Sequence, residues 1–416
     1  MRKLLLIPVF FSLLVCGCGK QSTTTGTSNQ EATTAEEIPS GDVTLTLWGA
    51  EEDGALLEQI TSAFASEHSS EANISFNIVP MSESECKDQI LGNINEAPDV
   101  FTFADDQVRA LAAAGVLGQV ENADVSSRNI AASVDAASIN GNLYAYPLTA
   151  DNGYFLYYNK AYFQESDLAT LDGILAVAAS NGKQVSMEVS SGWYMYSFFG
   201  NTGLELGLND DGITNYCTWN STENPITGVD VANAMLAIAY NPGFVNGGDD
   251  VLKEGAANDT VIAGVSGVWL STDLAEIWGD NLGAVKLPTY TVAGQQVQMA
   301  SYAGYKLIGV NQHSANVYWA NAFADYLSNE ENQTLRFEMR GQGPSNSNAA
   351  SSSAVAASPA IQAVIAQSEY AQLQRVGGAY WDPATAFSEA ILSGSVGDLQ
   401  ELMDTLVAGI TAKVTD

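Results

Sequence analysis

The chain has 416 residues, 46% of them hydrophobic, which suits two domains or one large two-lobed body with ample core. Forty-eight Asp and Glu against 15 Lys and Arg leave a formal charge of −33, a field that repels phosphate backbones and anionic membrane surfaces and argues against nucleic acid as a partner. Only four cysteines are present, too few for a disulfide framework in a chain of this length.

The N-terminus, "MRKLLLIPVFFSLLVCGCGK" (1–20), has a basic start at Arg2 and Lys3 followed by an apolar run from Leu4 to Val15. That run is too short to span a bilayer as a mature helix and reads as an export signal. The tetrapeptide "VCGC" (15–18) places small Gly17 directly before Cys18 and resembles a bacterial lipobox. Removal of residues 1–17, Cys16 among them, would leave Cys18 as a lipid-bearing first residue on the outer face of the cell membrane; cleavage elsewhere would give an ordinary secreted protein. Residues 18–41 are rich in Thr, Ser and Glu and cannot bury enough apolar surface to offset chain entropy, so a flexible tether is expected. Cys86 and Cys217 remain in the body and are expected to be free thiols.

From Asp42 the order becomes strand, helix, strand. "VTLTLWG" (43–49) alternates, "ALLEQITSAFASEH" (55–68) sets Leu56, Ile60 and Phe64 on one helical stripe, and "NISFNIVP" (73–80) alternates again. "APDVFTFADD" (97–106) predicts a short buried strand ending in carboxylates, and "VRALAAAGVLGQV" (108–120) a helix stopped at Gly115. "GNLYAYPLTADNGYFLYYNK" (141–160) supplies two β-rich runs interrupted by polar "TADN", a loop or a crossing between lobes. "DTVIAGV" (259–265) is a further strand. "DVANAMLAIAYN" (230–241) and "NVYWANAFADYLSNEENQTLRF" (316–337) are helical; Trp319, Phe323, Tyr326 and Leu327 form one apolar face, and Ser328 with Glu331 predicts a capping box for the next helix. "NSNAASSSAVAAS" (346–358) reads as a surface connection, and "VGDLQELMDTLVAGITAKV" (396–414) as a closing amphipathic helix. The whole is α/β, with helices returning onto sheets.

No phosphate loop, HExxH, CxxC or strand-borne GxGxxG occurs, and with two histidines a Ser-His-Asp or Cys-His machine is hard to build. Paired carboxylates still leave a glycosidase open, because that chemistry needs neither histidine nor metal. Tandem Tyr157 and Tyr158 raise iron ligation, but "YFLYYNK" reads first as a strand, and neither a metal nor a cofactor is expected. Acids and aromatics recur after strands: Glu51, Glu52 and Asp53, then Asp105 and Asp106, then Asp151 and Asn152, then Trp269. Ligands of open α/β sheets sit beyond the carboxyl ends of the strands, so these side chains are candidates to meet in one crevice. Carboxylates, amides and aromatic faces suit a neutral ligand with hydroxyls on its rim and C–H groups on its faces, as in a sugar.

The order of segments resembles the extracellular solute-binding proteins of ABC sugar importers, and within them the maltose/maltodextrin-binding group. The likeness runs from about Val43 onward over "VTLTLWGAEEDG", "APDVFTF", "AAAGVLGQV", "INGNLYAYPLTADNGYFLYYNK" (139–160), "SGVW" and "WANAFADYLSNEENQTLRFEMRGQGPSN". It implies a two-lobed periplasmic-binding-protein fold joined by a multi-stranded hinge, with 42–150 and 303–347 in one lobe and 151–302 and 348–416 in the other. It also implies no catalysis, a monomer, contact with the membrane through the lipid anchor only, and delivery of sugar to an ABC transporter permease. Carried over by position, the ligand side comprises Glu52 and Asp53, Glu85, Asp106 and Gln107, Asp151 or Asn152, Trp193 and Tyr194, Trp269 and Trp381. Asp53 and Gln107 stand where the group carries basic residues, and an apparent one-residue insertion leaves both Asp151 and Asn152 open. Malto-oligosaccharides are the implied ligand, with a different oligosaccharide or a polyol as the alternative.

Overall fold

Two five-stranded sheets organise the molecule, each built on the same plan. The computed structural model describes residues 38–413; the expected signal, Cys18 and the tether up to residue 37 lie outside the described residues. In the first sheet the strands run in the order Asn73–Pro80, Asp42–Gly49, Val100–Ala104, Lys306–Val310 and Tyr146–Thr149. The first three are parallel, and Lys306–Val310 is antiparallel to both of its neighbours. The second sheet runs Phe244–Asn246, Gln184–Met187, Val261–Gly267, Tyr154–Asn159 and Leu282–Val285. Three parallel strands are again followed by an antiparallel one, here Tyr154–Asn159. Parallel strands need covering on both faces, which explains the near-continuous apolar runs in both sheets.

Each sheet has its own core. Helix Gly54–Glu67 buries Leu56, Leu57, Ile60 and Phe64 through its 3.6-residue period, and Phe64 meets Trp319 and Phe323 of helix Val317–Leu327 edge-on. Trp319 is therefore core, as its spacing implies. In the second sheet the strand Tyr154–Asn159 alternates between two cores: Tyr154 and Leu156 join Ile174, Phe198 and Trp219 on one face, while Phe155 and Tyr157 join Leu252, Leu274 and Ile361 on the other. The Tyr157 hydroxyl donates to the carbonyl of Gly267 at 3.0 Å.

The chain passes from one sheet to the other at three places that lie side by side. "TADN" is a crossing, between Tyr146–Thr149 and Tyr154–Asn159. Ala150 N–H donates to Gly343 O at 2.9 Å and Asn152 N–H to Gly304 O at 3.2 Å, so the second crossing at 304–305 and the third near 341–345 flank the first. This is the two-lobed architecture with a multi-stranded connection.

One local expectation changes. Helix Glu330–Arg340 is capped by Asn329, whose side chain accepts from Asn332 N–H at 2.8 Å, whereas Ser328 is buried and accepts from Arg128 at 2.8 Å; the Ser328/Glu331 box does not form. Residues 346–358 lie mostly at the surface, as expected, and hold two short helices, Ser347–Ala350 and Ser353–Ala357, with Val355 buried against the second sheet's core. Cys86 is buried, Cys217 is half-buried, and both are free.

Candidate functional site

The site is assembled where strand ends of both sheets approach the crossings. Strand Val261–Gly267 is buried throughout and ends in a tight turn, Val268–Leu270, that turns the half-buried Trp269 back across its own strand. A Cβ on Gly267 would lie 2.0 Å from the indole's Cζ3, so only glycine permits this posture. The indole Nε1–H donates to Asp249 Oδ2 at 2.7 Å.

Trp193 faces it. Helix Gly192–Phe199 begins at Ser191, whose hydroxyl accepts from Trp193 N–H at 3.3 Å, and the Trp193 ring lies 5.9 Å from that of Trp269 at an angle of 35°. Tyr154 and Tyr194 pack against Trp193 at 4.7 Å and 5.1 Å, and Tyr194 is buried behind that ring rather than exposed beside it. Trp381 opens helix Trp381–Ser393, half-buried against Tyr380 at 5.0 Å. A Cβ on Gly192 would sit 3.5 Å from Trp381 Cε3, so the residue before Trp193 rests on that ring. Trp193 thus adjoins Trp269 directly, and Trp381 lies against the helix start that carries Trp193.

The first sheet faces them with charge. Lys306, buried at the start of its strand, extends its ammonium to 3.3 Å from Glu83 Oε1 and to 5.9 Å from the centre of the Trp269 ring. Burial works against its charge, but Glu83, Asp53 and Asp151 raise its pKa above the usual lysine value. Glu83 was not singled out in the sequence; Glu85, which was, is exposed at the start of helix Cys86–Gly92. Gln107 is buried and brackets that loop: its Oε1 accepts from Lys87 N–H at 3.0 Å and its Nε2 donates to Glu83 O at 2.7 Å.

The paired acids divide between interior and crevice. Glu52 is exposed, while Asp53 is buried and ion-paired to Arg336 and, at 3.1 Å, to Arg340 Nε. Burial would raise the Asp53 carboxyl, but Arg336, Lys306 and Arg340 outweigh it and hold the carboxyl below its ordinary value. Asp105 is buried, accepts from Tyr305 N–H at 2.8 Å and pairs with Arg375 at 2.8 Å. Its neighbour Asp106 stays open to solvent and accepts from Gln374 Nε2 at 3.0 Å. Although its edge is exposed, the protein crowded around it and the charge of Asp105 push the Asp106 carboxyl upward, against Arg375 and Lys87. Asp151 is buried and accepts from Gly343 N–H within the crossings; Asn152 is half-buried. Burial raises the Asp151 carboxyl, partly countered by Thr149 and Gly343.

Partly exposed indoles can stack on C–H faces, and open carboxylates and amides can accept hydroxyl hydrogen bonds. Among the described residues no three His, Cys, Asp or Glu side chains come together as a metal site.

The galactooligosaccharide-binding protein of Bacillus subtilis (strain 168) is 23% identical over 417 residues, covering 94% of this chain and 92% of that protein. A structure solved with acarbose superposes with a TM-score of 0.80 at 29% identity, covering 89% of this chain and 99% of its own. The maltodextrin-binding protein of L. casei BL23, solved without ligand, superposes with a TM-score of 0.73 at 22% identity over 89% of this chain and all of its own, 100%. The family profile described as bacterial extracellular solute-binding protein matches residues 59–363, and the chain belongs to that family.

Proposed function

We propose that this chain captures an oligosaccharide, most readily a malto-oligosaccharide, between its two lobes and passes it to an ABC transporter permease. The observation that carries the reading is the pair Trp193 and Trp269, half-buried with rings 5.9 Å apart, beside the ammonium of Lys306, which pairs with Glu83. Flat aromatic surfaces bind sugar faces through C–H contacts, and acids on the rim read hydroxyls. One lobe comprises 42–150 and 303–347 and the other 151–302 and 348–416; sugar held by one gains contacts from the other only on closure, which draws the population toward the closed form. Of the residues taken from the sequence, Glu52, Glu85, Asp106, Asn152, Trp193, Trp269 and Trp381 are the ligand contacts. Asp53, Gln107, Asp151 and Tyr194 act from beneath by holding that surface. The protein works as a monomer tethered outside the cell through Cys18.

The solute-binding family and the sugars named for the relatives support this reading over a glycosidase. The Bacillus subtilis relative favours a second reading, a galacto-oligosaccharide in the same crevice. Calorimetric titration with maltotetraose should give stoichiometric heat and no new reducing ends, and Trp269→Ala should weaken binding by about tenfold while unfolding remains cooperative. Reducing ends appearing with turnover would make the protein an enzyme. Heat from a galacto-oligosaccharide alone would select the second reading.

A further inference from the structure

Trp269 is held by more than its turn. Asp249 is the first residue of helix Asp249–Ala257, directly after the N-cap Gly248, and both of its carboxylate oxygens bond outside that helix. Oδ1 accepts from Ser266 Oγ at 2.6 Å and Oδ2 from Trp269 Nε1 at 2.7 Å. Ser266 is fully buried on the strand that leads into the turn, so the acceptor for the indole is itself aimed by the strand carrying the indole. Gly267 completes the clamp by leaving room for the ring to approach the strand.

We propose that Asp249 is a positioning residue for the carbohydrate platform, orienting the Trp269 indole before sugar arrives; this rests on the oligosaccharide reading above. A half-buried indole without an acceptor for its N–H would turn toward water, and ordering it again would be charged against each binding event. The carboxylate removes that cost in the free protein. A carboxylate acceptor also holds the indole N–H more strongly than a neutral amide would. Glu188, half-buried nearby, feels the same charge: burial and Asp249 both raise its carboxyl above the usual value.

The test combines Asp249→Leu, which removes the acceptor at similar size, with Asp249→Asn, which keeps an acceptor without charge, each in wild-type and Trp269→Ala backgrounds. With maltotetraose, Asp249→Leu should weaken binding about tenfold in the wild-type background and leave it unchanged in Trp269→Ala, while Asp249→Asn should stay within about threefold. In the ligand-free protein, Asp249→Leu should alter the near-ultraviolet circular dichroism only where Trp269 is present. Wild-type affinity in Asp249→Leu, or equal losses in both backgrounds, would overturn the proposal. If the wild-type protein binds neither maltotetraose nor a galacto-oligosaccharide, the oligosaccharide reading fails, and the dichroism arm still reports whether Asp249 orients Trp269.

Discussion

Asp53 illustrates how a single carboxylate is committed. At 1% exposure it meets Arg336 and Arg340, side chains more than 280 positions later in the chain. An uncompensated buried charge costs several kcal/mol, so removing one partner of such a pair is far more damaging than its modest net worth suggests. Asp53→Asn should therefore lose about 3–5 kcal/mol in urea unfolding at neutral pH. The carboxyl is held below its ordinary value, so its stabilisation is complete above the unfolded pKa of about 4 and fades as pH falls through the folded value; the gap to wild type should narrow accordingly. Unchanged stability with collapsed sugar affinity would instead make Asp53 a ligand contact. Asp106 has the opposite sign, since its raised carboxyl favours the protonated form in the folded protein. The sequence showed where acids cluster but not which member of each pair turns inward. Adjacent residues in a one-turn segment point in different directions, and the deciding partners, Arg336, Arg375 and Gly343, have no local signal. For Trp269 the signal is local: its strand ends at Gly267, where the absence of a side chain lets the indole fold back toward the strand.

Elements were read more securely than residues because periodicity is a property of many positions at once. The stripe Leu56, Ile60, Phe64 and the alternation of "NISFNIVP" reappear as helix Gly54–Glu67 and strand Asn73–Pro80. Gly115, with φ at +74°, ends the helical run as expected, although the helix itself covers only Val108–Ala113. Boundaries set by a single hydrogen bond were harder to read. Ser328 and Asn329 are both good capping residues, and the choice falls to Asn329 because Ser328 is drawn into contact with Arg128. Asn329→Ala should cost about 1 kcal/mol, measured by denaturant unfolding, through loss of the bond to Asn332 N–H. No change would mean that the helix start is held by packing alone. The segment 346–358 lies mostly at the surface, and its two very short helices, each burying one residue, Ala349 or Val355, are not revealed by composition.

At the scale of the molecule, two sheets of the same design are joined by three crossings that share hydrogen bonds, and the contacts between the two sides concentrate beside them. Arg375 and Gln374 follow strand Ala371–Leu373, which pairs with Ser301–Ala303 and packs through Tyr302 into the second core; they reach Asp105 and Asp106 at the end of a first-sheet strand. Lys306 reaches from the first sheet toward Trp269. The proposed capture by closure requires the far edges to separate while the near edge stays bonded, a requirement that bonded crossings suit. Shifting the balance from 1:99 to 99:1 takes roughly 5.5 kcal/mol of differential affinity, within reach of several hydroxyl hydrogen bonds and stacking on the indoles. Small-angle scattering of the protein with and without saturating maltotetraose tests this most directly. The account predicts a smaller radius of gyration once sugar is bound; superimposable curves at an occupancy established by calorimetry would contradict it.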